Sequence, residues 1–179
     1  GTPFTVFYNP RRPRITTLGT GSLQTPLDEQ ADAPELFALN PSYVGAGTPF
    51  NTFSPVRIFT PVGSNITDVT FIIPGSAPGN VGTGILATVD AFGAVFADVD
   101  LVASTSLQFF DIFGNSLTGV VNVAVGAVPG VAFPDQTLSF LGLVANAGEQ
   151  IARVRITTGT AALGPTDNPA QGIDMVGLD

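Results

Sequence analysis

Short segments in which apolar and polar residues alternate recur along the chain, and they predict β-strands. In residues 66–73, Val69, Phe71 and Ile73 fall on one face while Asp68 and Thr70 fall on the other, as in a half-buried strand. Glycine occurs 21 times and proline 15 times in 179 residues, so that helical periodicity is interrupted throughout. The pattern therefore predicts an all-β protein.

Turn signals join some of these segments into predicted hairpins. Residues 138–144 and 151–158 flank the turn Asn146-Ala147-Gly148, and residues 107–111 and 117–125 flank Gly114-Asn115. Further strands are predicted at 4–8, 56–60, 85–90, 94–101 and 173–178. Nine or ten strands are too many for one sheet with a wet face, and they predict a jelly-roll-like, two-sheet antiparallel sandwich.

The alternation also predicts which side chains fill the space between the two sheets. Ten residues are expected there: Val69, Phe71, Ile73, Val95, Val99, Phe109, Leu138, Phe140, Val154 and Ile156. The uncharged, β-branched run 120–125 is predicted to be either a central buried strand or an edge strand that another subunit completes.

The chain is expected to form one domain, residues 1–179, with the main strands in 56–179. The first 55 residues hold both tyrosines and many of the prolines, and they are predicted to be an irregular arm or covering region. Proline followed by an acidic residue suggests helix starts at Thr25-Pro26-Leu27-Asp28 and at Ala33-Pro34-Glu35.

The composition narrows the possible functions. Charged residues make up only 11%, the net charge is −8, and the six basic residues are all arginine. A nucleic-acid partner is not expected, because binding phosphates requires clustered cations. No membrane span is expected either, since the long uncharged stretch 112–134 contains four glycines and two prolines.

Histidine, cysteine, lysine and tryptophan are all missing from the sequence. This excludes Ser-His-Asp and Cys-His catalysis, imine chemistry and histidine-bound zinc. Carboxylate-based glycoside hydrolysis is left as an alternative, with Asp98, Asp100, Asp111, Asp174 and Glu149 as candidate acids. The protein is expected not to be an enzyme.

Calcium is the more natural use of these acids, because a hard cation binds several oxygen ligands. Asp98 and Asp100 are two residues apart and so share a face of their strand, and the loop near Asp167 offers more oxygens. The predicted ligands are Asp98, Asp100, Asp167, Asp174 and Asp179. The alternative is that Asp98 and Asp100 are solvated acids of an edge strand and that Asp167-Asn168-Pro169 is only a turn.

The amino-terminal region offers a candidate surface for assembly. Arg11, Arg12 and Arg14 hold half of the positive charge and could contact an acidic partner, including another copy of this acidic chain. The neighbouring segment with Phe4, Phe7 and Tyr8 could add a strand to a second sandwich. A solvated loop is the alternative for the arginines.

Several segments carry a family resemblance: Asn-Ile-Thr-Asp-Val-Thr-Phe at 65–71, Phe-Gly-Ala-Val-Phe-Ala-Asp-Val-Asp at 92–100, Leu-Gln-Phe-Phe-Asp at 107–111, and Gly-Ile-Asp-Met-Val-Gly-Leu-Asp at 172–179. Together they resemble a group of exported bacterial β-sandwich proteins, many with a PEP-CTERM-type sorting tail. The resemblance implies secretion and an extracellular or cell-surface location, and it supplies no catalytic residue. The start at Gly1-Thr2-Pro3 fits a processed amino terminus.

Two non-catalytic functions are therefore expected. The first is a binding or adhesion module of the cell surface or matrix that recognises a glycan or another extracellular polymer, supported by calcium. The second is a structural subunit of an extracellular filament, sheath or layer, assembled by strand addition between copies.

Overall fold

The computed structural model describes residues 4–8, 13–24, 53, 58–76, 84–162 and 167–179. Its regular structure is almost entirely antiparallel strand, which confirms the predicted all-β, two-sheet sandwich. The strands are β1 (Phe4–Tyr8), β2 (Pro13–Gln24), β3 (Ile58–Val62), β4 (Ile66–Phe71), β5 (Ala91–Ala97), β6 (Ser106–Phe110), β7 (Val121–Asn122), β8 (Leu138–Val144), β9 (Arg153–Thr157) and β10 (Gly177–Leu178). A 3₁₀ turn spans Pro169–Gln171.

The long strand β2 connects the two sheets. Its first part pairs with β4 and its last five residues pair with β3, so the strand passes from one sheet to the other. The first sheet has the order β7-β6-β9-β4-β2 and the second the order β2-β3-β10-β5-β8, while β1 pairs with β2. Residues 13–24 were predicted to be part of the irregular amino-terminal region, and their glycines at 19 and 21 are unusual inside a strand.

A hydrophobic cluster joins the inner faces of the two sheets. Val69, Phe109 and Val154 contribute from the first sheet, and Phe96 and Leu178 contribute from the second. Burial of such side chains removes apolar area from water and drives the sheets together. Six predicted core residues are buried: Val69, Phe71, Val99, Phe109, Val154 and Ile156.

The prediction was wrong for the other four core residues. Val95 is half-buried because its neighbours Ala94 and Phe96 face inward. Ile73 is exposed because β4 ends at Phe71. Leu138 and Phe140 lie on the outer face of β8, and Phe140 is 70% exposed. Apolar residues occupy both faces of β8, so its alternation did not indicate which face is buried.

One of the two predicted hairpins is present. In the second hairpin β6 pairs with β7, and the Asp111 amide donates to the Asn115 carbonyl at 2.9 Å. The hairpin between 138–144 and 151–158 was wrong: β8 pairs with β5, whereas β9 pairs with β4 and β6. The turn at Asn146–Gly148 instead carries the chain from one sheet to the other.

Other predicted strands are shorter than expected. Residues 85–90 form only isolated bridges at Leu86 and Val89. In the 117–125 segment only Val121–Asn122 is strand, and it lies at the edge of the first sheet. The two predicted helix starts lie outside the described residues. Within the described part of the chain, no helix is long and apolar enough to cross a membrane.

Candidate cation site

Four carboxylates converge at the end of the sandwich where β5 stops. Asp98 and Asp100 follow β5, Asp135 precedes β8, and Asp167 precedes the 3₁₀ turn. One oxygen of each carboxylate lies within 4.8 Å of an oxygen of every other. We call these four residues the acidic cluster.

Backbone hydrogen bonds bring the first two loops of the cluster together. The Asp98 amide donates to the Thr137 carbonyl at 3.0 Å, and the Gly126 amide donates to the Val99 carbonyl at 2.8 Å. The 126–137 loop, which contains Asp135, is thereby held against the segment that follows β5.

The backbone of these two loops is strained. The described non-glycine residues with positive φ all lie in them: Asp98 (66°), Ala103 (62°), Phe133 (53°) and Gln136 (64°). Left-handed backbone costs about 1–2 kcal/mol for most residues, although Asp tolerates it better than others. Backbone strain of this kind is found most often at functional sites, where surrounding contacts hold the strained conformation in place. The turn to left-handed backbone at Asp98 also ends β5 earlier than the predicted strand 94–101.

The carboxylates of Asp98 and Asp100 are buried. Asp98 is 0% exposed and Asp100 is 8% exposed, and none of their four carboxylate oxygens has a hydrogen-bond partner among the described residues. Burying an ionised carboxylate is costly unless it is paired or binds a metal. Arg153 and Arg155 do not relieve this charge, because both form ion pairs with Asp68 on β4.

The pKa values reflect this environment. Burial, followed by repulsion from Asp100, Asp167, Asp135 and Asp174, raises the pKa of Asp98 to about 9. Burial is also the main reason that the pKa of Asp100 rises to about 6. For Asp167, burial raises the pKa to about 7 despite a hydrogen bond from the Met175 amide at 3.0 Å. A bound cation would remove the repulsion and supply the missing partner.

Asp174 lies beside the acidic cluster and holds the adjoining turn. It is 0% exposed, and its carboxylate accepts hydrogen bonds from the amides of Asp100 and Leu101 and from Ser104 Oγ, the last at 2.5 Å. Burial raises the pKa of Asp174, while these hydrogen bonds act in the opposite direction. Asp174 therefore positions the segment that contains Asp100.

Asp179 lies outside the acidic cluster. Its backbone pairs with Val95 in β5, and its carboxylate accepts a hydrogen bond from the Phe53 amide at 2.7 Å. The structure thus brings together three of the five predicted ligands, places Asp174 beside them, and adds Asp135. Sequence reasoning missed Asp135 because a single acid after a proline has no spacing that signals a ligand.

The size of the acidic cluster fits calcium. Calcium–oxygen distances of about 2.3–2.6 Å allow opposite ligands to be about 5 Å apart, whereas magnesium at about 2.1 Å requires about 4.2 Å. The four ligand oxygens lie within 4.8 Å of one another, which is compatible with the span of either ion. The number of carboxylates favours calcium, because magnesium is usually held by one or two carboxylates and keeps several waters.

The other predicted site residues lie elsewhere. Phe4, Phe7 and Tyr8 belong to β1, which pairs with β2 of its own chain, where Arg14 is aligned with Tyr8. Arg11 and Arg12 fall outside the described residues. Asp111 and Glu149, which were candidate catalytic acids, accept hydrogen bonds within their own turns, from Asn115 and Asn146.

No model of a known protein family matches the sequence, and the curated proteins searched contain no match. The resemblance to exported bacterial sandwich proteins therefore stays a prediction.

Proposed function

We propose that this chain is a non-catalytic, calcium-binding β-sandwich module that acts outside the cell, at the cell surface or in the matrix. The observation that carries the calcium part of the proposal is the Asp98 carboxylate. It is fully buried, has no hydrogen-bond partner among the described residues, and lies with three other carboxylates at a spacing that a calcium shell allows.

The same geometry argues against the hydrolase alternative. Glycosidases separate their two carboxyl groups by about 5–9.5 Å, with a sugar or a water between them. Asp98 is fully buried and Asp100 is only 8% exposed, so neither carboxyl group is accessible to a substrate. Calcium would instead join the three loops that contain Asp98, Asp135 and Asp167.

The extracellular part of the proposal rests on the sequence resemblance, with a glycan or another extracellular polymer as the expected ligand. Calcium is abundant outside cells, and extracellular modules bind it with dissociation constants of about 0.1–1 mM.

The outer face of β8 favours a second candidate function, a structural subunit that assembles with copies of itself. Leu138, Phe140 and Val144 are exposed there, and β8 carries no charge and lies at the edge of the second sheet. An edge strand of this kind can pair with another chain. Size-exclusion chromatography with light scattering tests this function, and a strictly monomeric full-length chain would argue against it.

Calorimetric titration tests the calcium site. Wild-type protein, freed of metal, is expected to bind one calcium and to bind magnesium at least tenfold more weakly. Asp100→Asn is expected to weaken calcium binding at least tenfold, because it replaces a buried charged ligand. Asp90→Asn, an exposed acid outside the acidic cluster, is the matched control and should bind as wild type does. Absence of calcium binding by the wild-type chain at millimolar concentration would refute the proposal.

A further inference from the structure

The carboxyl-terminal segment, residues 167–179, contributes both to the acidic cluster and to the second sheet. It contains Asp167, a member of the cluster, and Asp174, which holds the turn after Asp100. A few residues later the same segment forms β10. Asp167 is also linked to the residues just before β10, because the Met175 amide donates to Asp167 Oδ1 at 3.0 Å.

Strand β10 holds the second sheet together. It lies between β3 and β5, pairing with β3 through Leu178 and Phe59 and with β5 through Gly177 and Leu178. With only two strand residues, β10 has few ladder hydrogen bonds of its own. Its removal would separate β5 and β8 from β3 and β2.

The attachment of this segment beside the acidic cluster combines favourable and unfavourable interactions. Met175, Val176 and Leu178 are buried in the core and favour the seated strand. Asp167, however, lies within 4.8 Å of Asp98, Asp100 and Asp135, and these three acids belong to other parts of the fold. Without a cation, the Asp167 carboxyl group therefore faces the other three carboxyl groups. They either repel one another as charges or must be held protonated, and both situations weaken the attachment of the segment.

We propose that the cation acts as a clasp: by joining Asp167 to Asp98, Asp100 and Asp135, it controls whether β10 stays seated between β3 and β5. This inference rests on the proposed calcium site. The Asp98 carboxylate, which is fully buried and has no partner in the part of the chain that the structure describes, marks the position of the clasp. Calcium then regulates closure of the second sheet, and its loss exposes the facing edges of β3 and β5, which are surfaces that can accept another strand.

Hydrogen–deuterium exchange read by mass spectrometry tests the clasp on the full chain, in 5 mM calcium and in EDTA. Removal of calcium is expected to accelerate exchange at least tenfold in peptides covering 174–179, where the Asp179 amide donates to the Val95 carbonyl. Peptides covering β4 and β9 in the first sheet, with Val69 and Val154, are expected to change less than threefold.

A variant distinguishes the effect of cation binding on exchange from the effect of the segment's own contacts. Asp135→Asn removes a ligand that is exposed and lies outside residues 167–179, so the variant is expected to fold. In calcium it should show the rapid exchange of 174–179 that wild-type protein shows in EDTA. Asp90→Asn, which removes an exposed carboxylate elsewhere, should keep the slow exchange.

Calcium binding measured by titration on the same samples keeps the two proposals distinct. Calcium binding with selective protection of 174–179 supports the clasp. Calcium binding with unchanged exchange in 174–179, or with an equal change in β4 and β9, would overturn the clasp and leave the calcium site intact. No calcium binding would overturn both.

Discussion

Replacing Asp98 by asparagine should stabilise the metal-free protein and abolish its response to calcium. At pH 7 the buried Asp98 carboxyl stays neutral only by holding a proton, since burial raises its pKa from 3.8 to about 9. Keeping a carboxyl of ordinary pKa protonated at pH 7 costs about 4 kcal/mol, at 1.36 kcal/mol per pH unit. Asparagine is neutral without that cost, and it tolerates the positive φ of 66° at this position.

The net gain is smaller than this cost because the asparagine amide has one more N–H donor than the protonated carboxyl, and this donor would be buried without a partner. An unsatisfied buried polar group costs about 1–3 kcal/mol, which leaves a net stabilisation of about 1–3 kcal/mol. For a chain of this size, each kcal/mol raises the melting temperature by about 2–4 °C. Wild-type protein, in contrast, gains about 2.7 kcal/mol at a calcium concentration of 100 Kd, whereas the variant gains almost nothing.

Differential scanning calorimetry of both proteins, in EDTA and in calcium, measures these effects. The variant should melt at a higher temperature than wild type in EDTA, and calcium should raise the melting temperature of wild type far more than that of the variant. A variant less stable than wild type in EDTA, or one with an undiminished calcium shift, would refute the reasoning from the buried carboxylate.

The same carboxyl gives the metal-free protein a defined pH dependence. The folded-state pKa of Asp98 lies above its unfolded value, so its contribution to stability is complete below about pH 4 and is lost as the pH rises through about 9. In EDTA the wild-type melting temperature should therefore fall over this range relative to that of Asp98→Asn. Parallel pH profiles for the two proteins would contradict the assignment of the raised pKa to Asp98.

Two further pairs of substitutions test the packing beside the site and the difference between the core and the outer sheet face. Gly159→Ala would place a Cβ 2.0 Å from the Asp174 carbonyl oxygen, so it should weaken calcium binding and destabilise the fold. Gly172→Ala is the control, because Gly172 has the same left-handed backbone but nothing lies within 4 Å of the added Cβ. Gly172→Ala should cost roughly 1–2 kcal/mol of stability, and Gly159→Ala should cost more. If calorimetry shows equal losses of stability for Gly159→Ala and Gly172→Ala, the segment at Asp174 can shift to accommodate the added Cβ. Phe109→Ala should cost about 3–5 kcal/mol in chemical unfolding because Phe109 is fully buried, whereas Phe140→Ser should change stability by less than about 1 kcal/mol. An equally large loss for Phe140→Ser would mean that another part of the chain, or a second copy, covers the outer face of β8.

The interior strands were predictable because each has one apolar face. In β4 and β9, buried Val69, Val154 and Ile156 alternate with polar residues that are half-exposed, so alternation alone identified the inner face. The face of β8 was not predictable in this way. The sequence of β8 is apolar on both sides. Glycines at 93 and 142 leave room for the Phe140 ring on the outer side. This contact involves the neighbouring strand β5, so the alternation of residues along β8 alone does not reveal it.

Strand pairing beyond local turns was also outside the reach of sequence. The predicted hairpin of β6 and β7 is closed by hydrogen bonds between near neighbours, such as Asp111 and Asn115. The segments on either side of Asn146–Gly148 satisfy the same turn chemistry, yet they pair with β5 and β4, which lie far from them in the chain. A tight turn shows that the chain reverses; it does not show that the flanking strands stay in one sheet.

The candidate site was also predictable only where it depends on residues close together in the sequence. Asp98 and Asp100 could be identified as potential ligands from their spacing and from the oxygen preference of calcium. Their burial could not be predicted, because it depends on contacts between distant parts of the chain. The hydrogen bond from the Asp98 amide to the Thr137 carbonyl is one of these contacts, and it holds the 126–137 loop against their segment. That contact also brings in Asp135 and coincides with the left-handed residues Phe133 and Gln136. A fold that accepts both backbone strain and unpaired buried carboxylates at one place needs a compensating interaction there, and a divalent cation held by these oxygens would provide it.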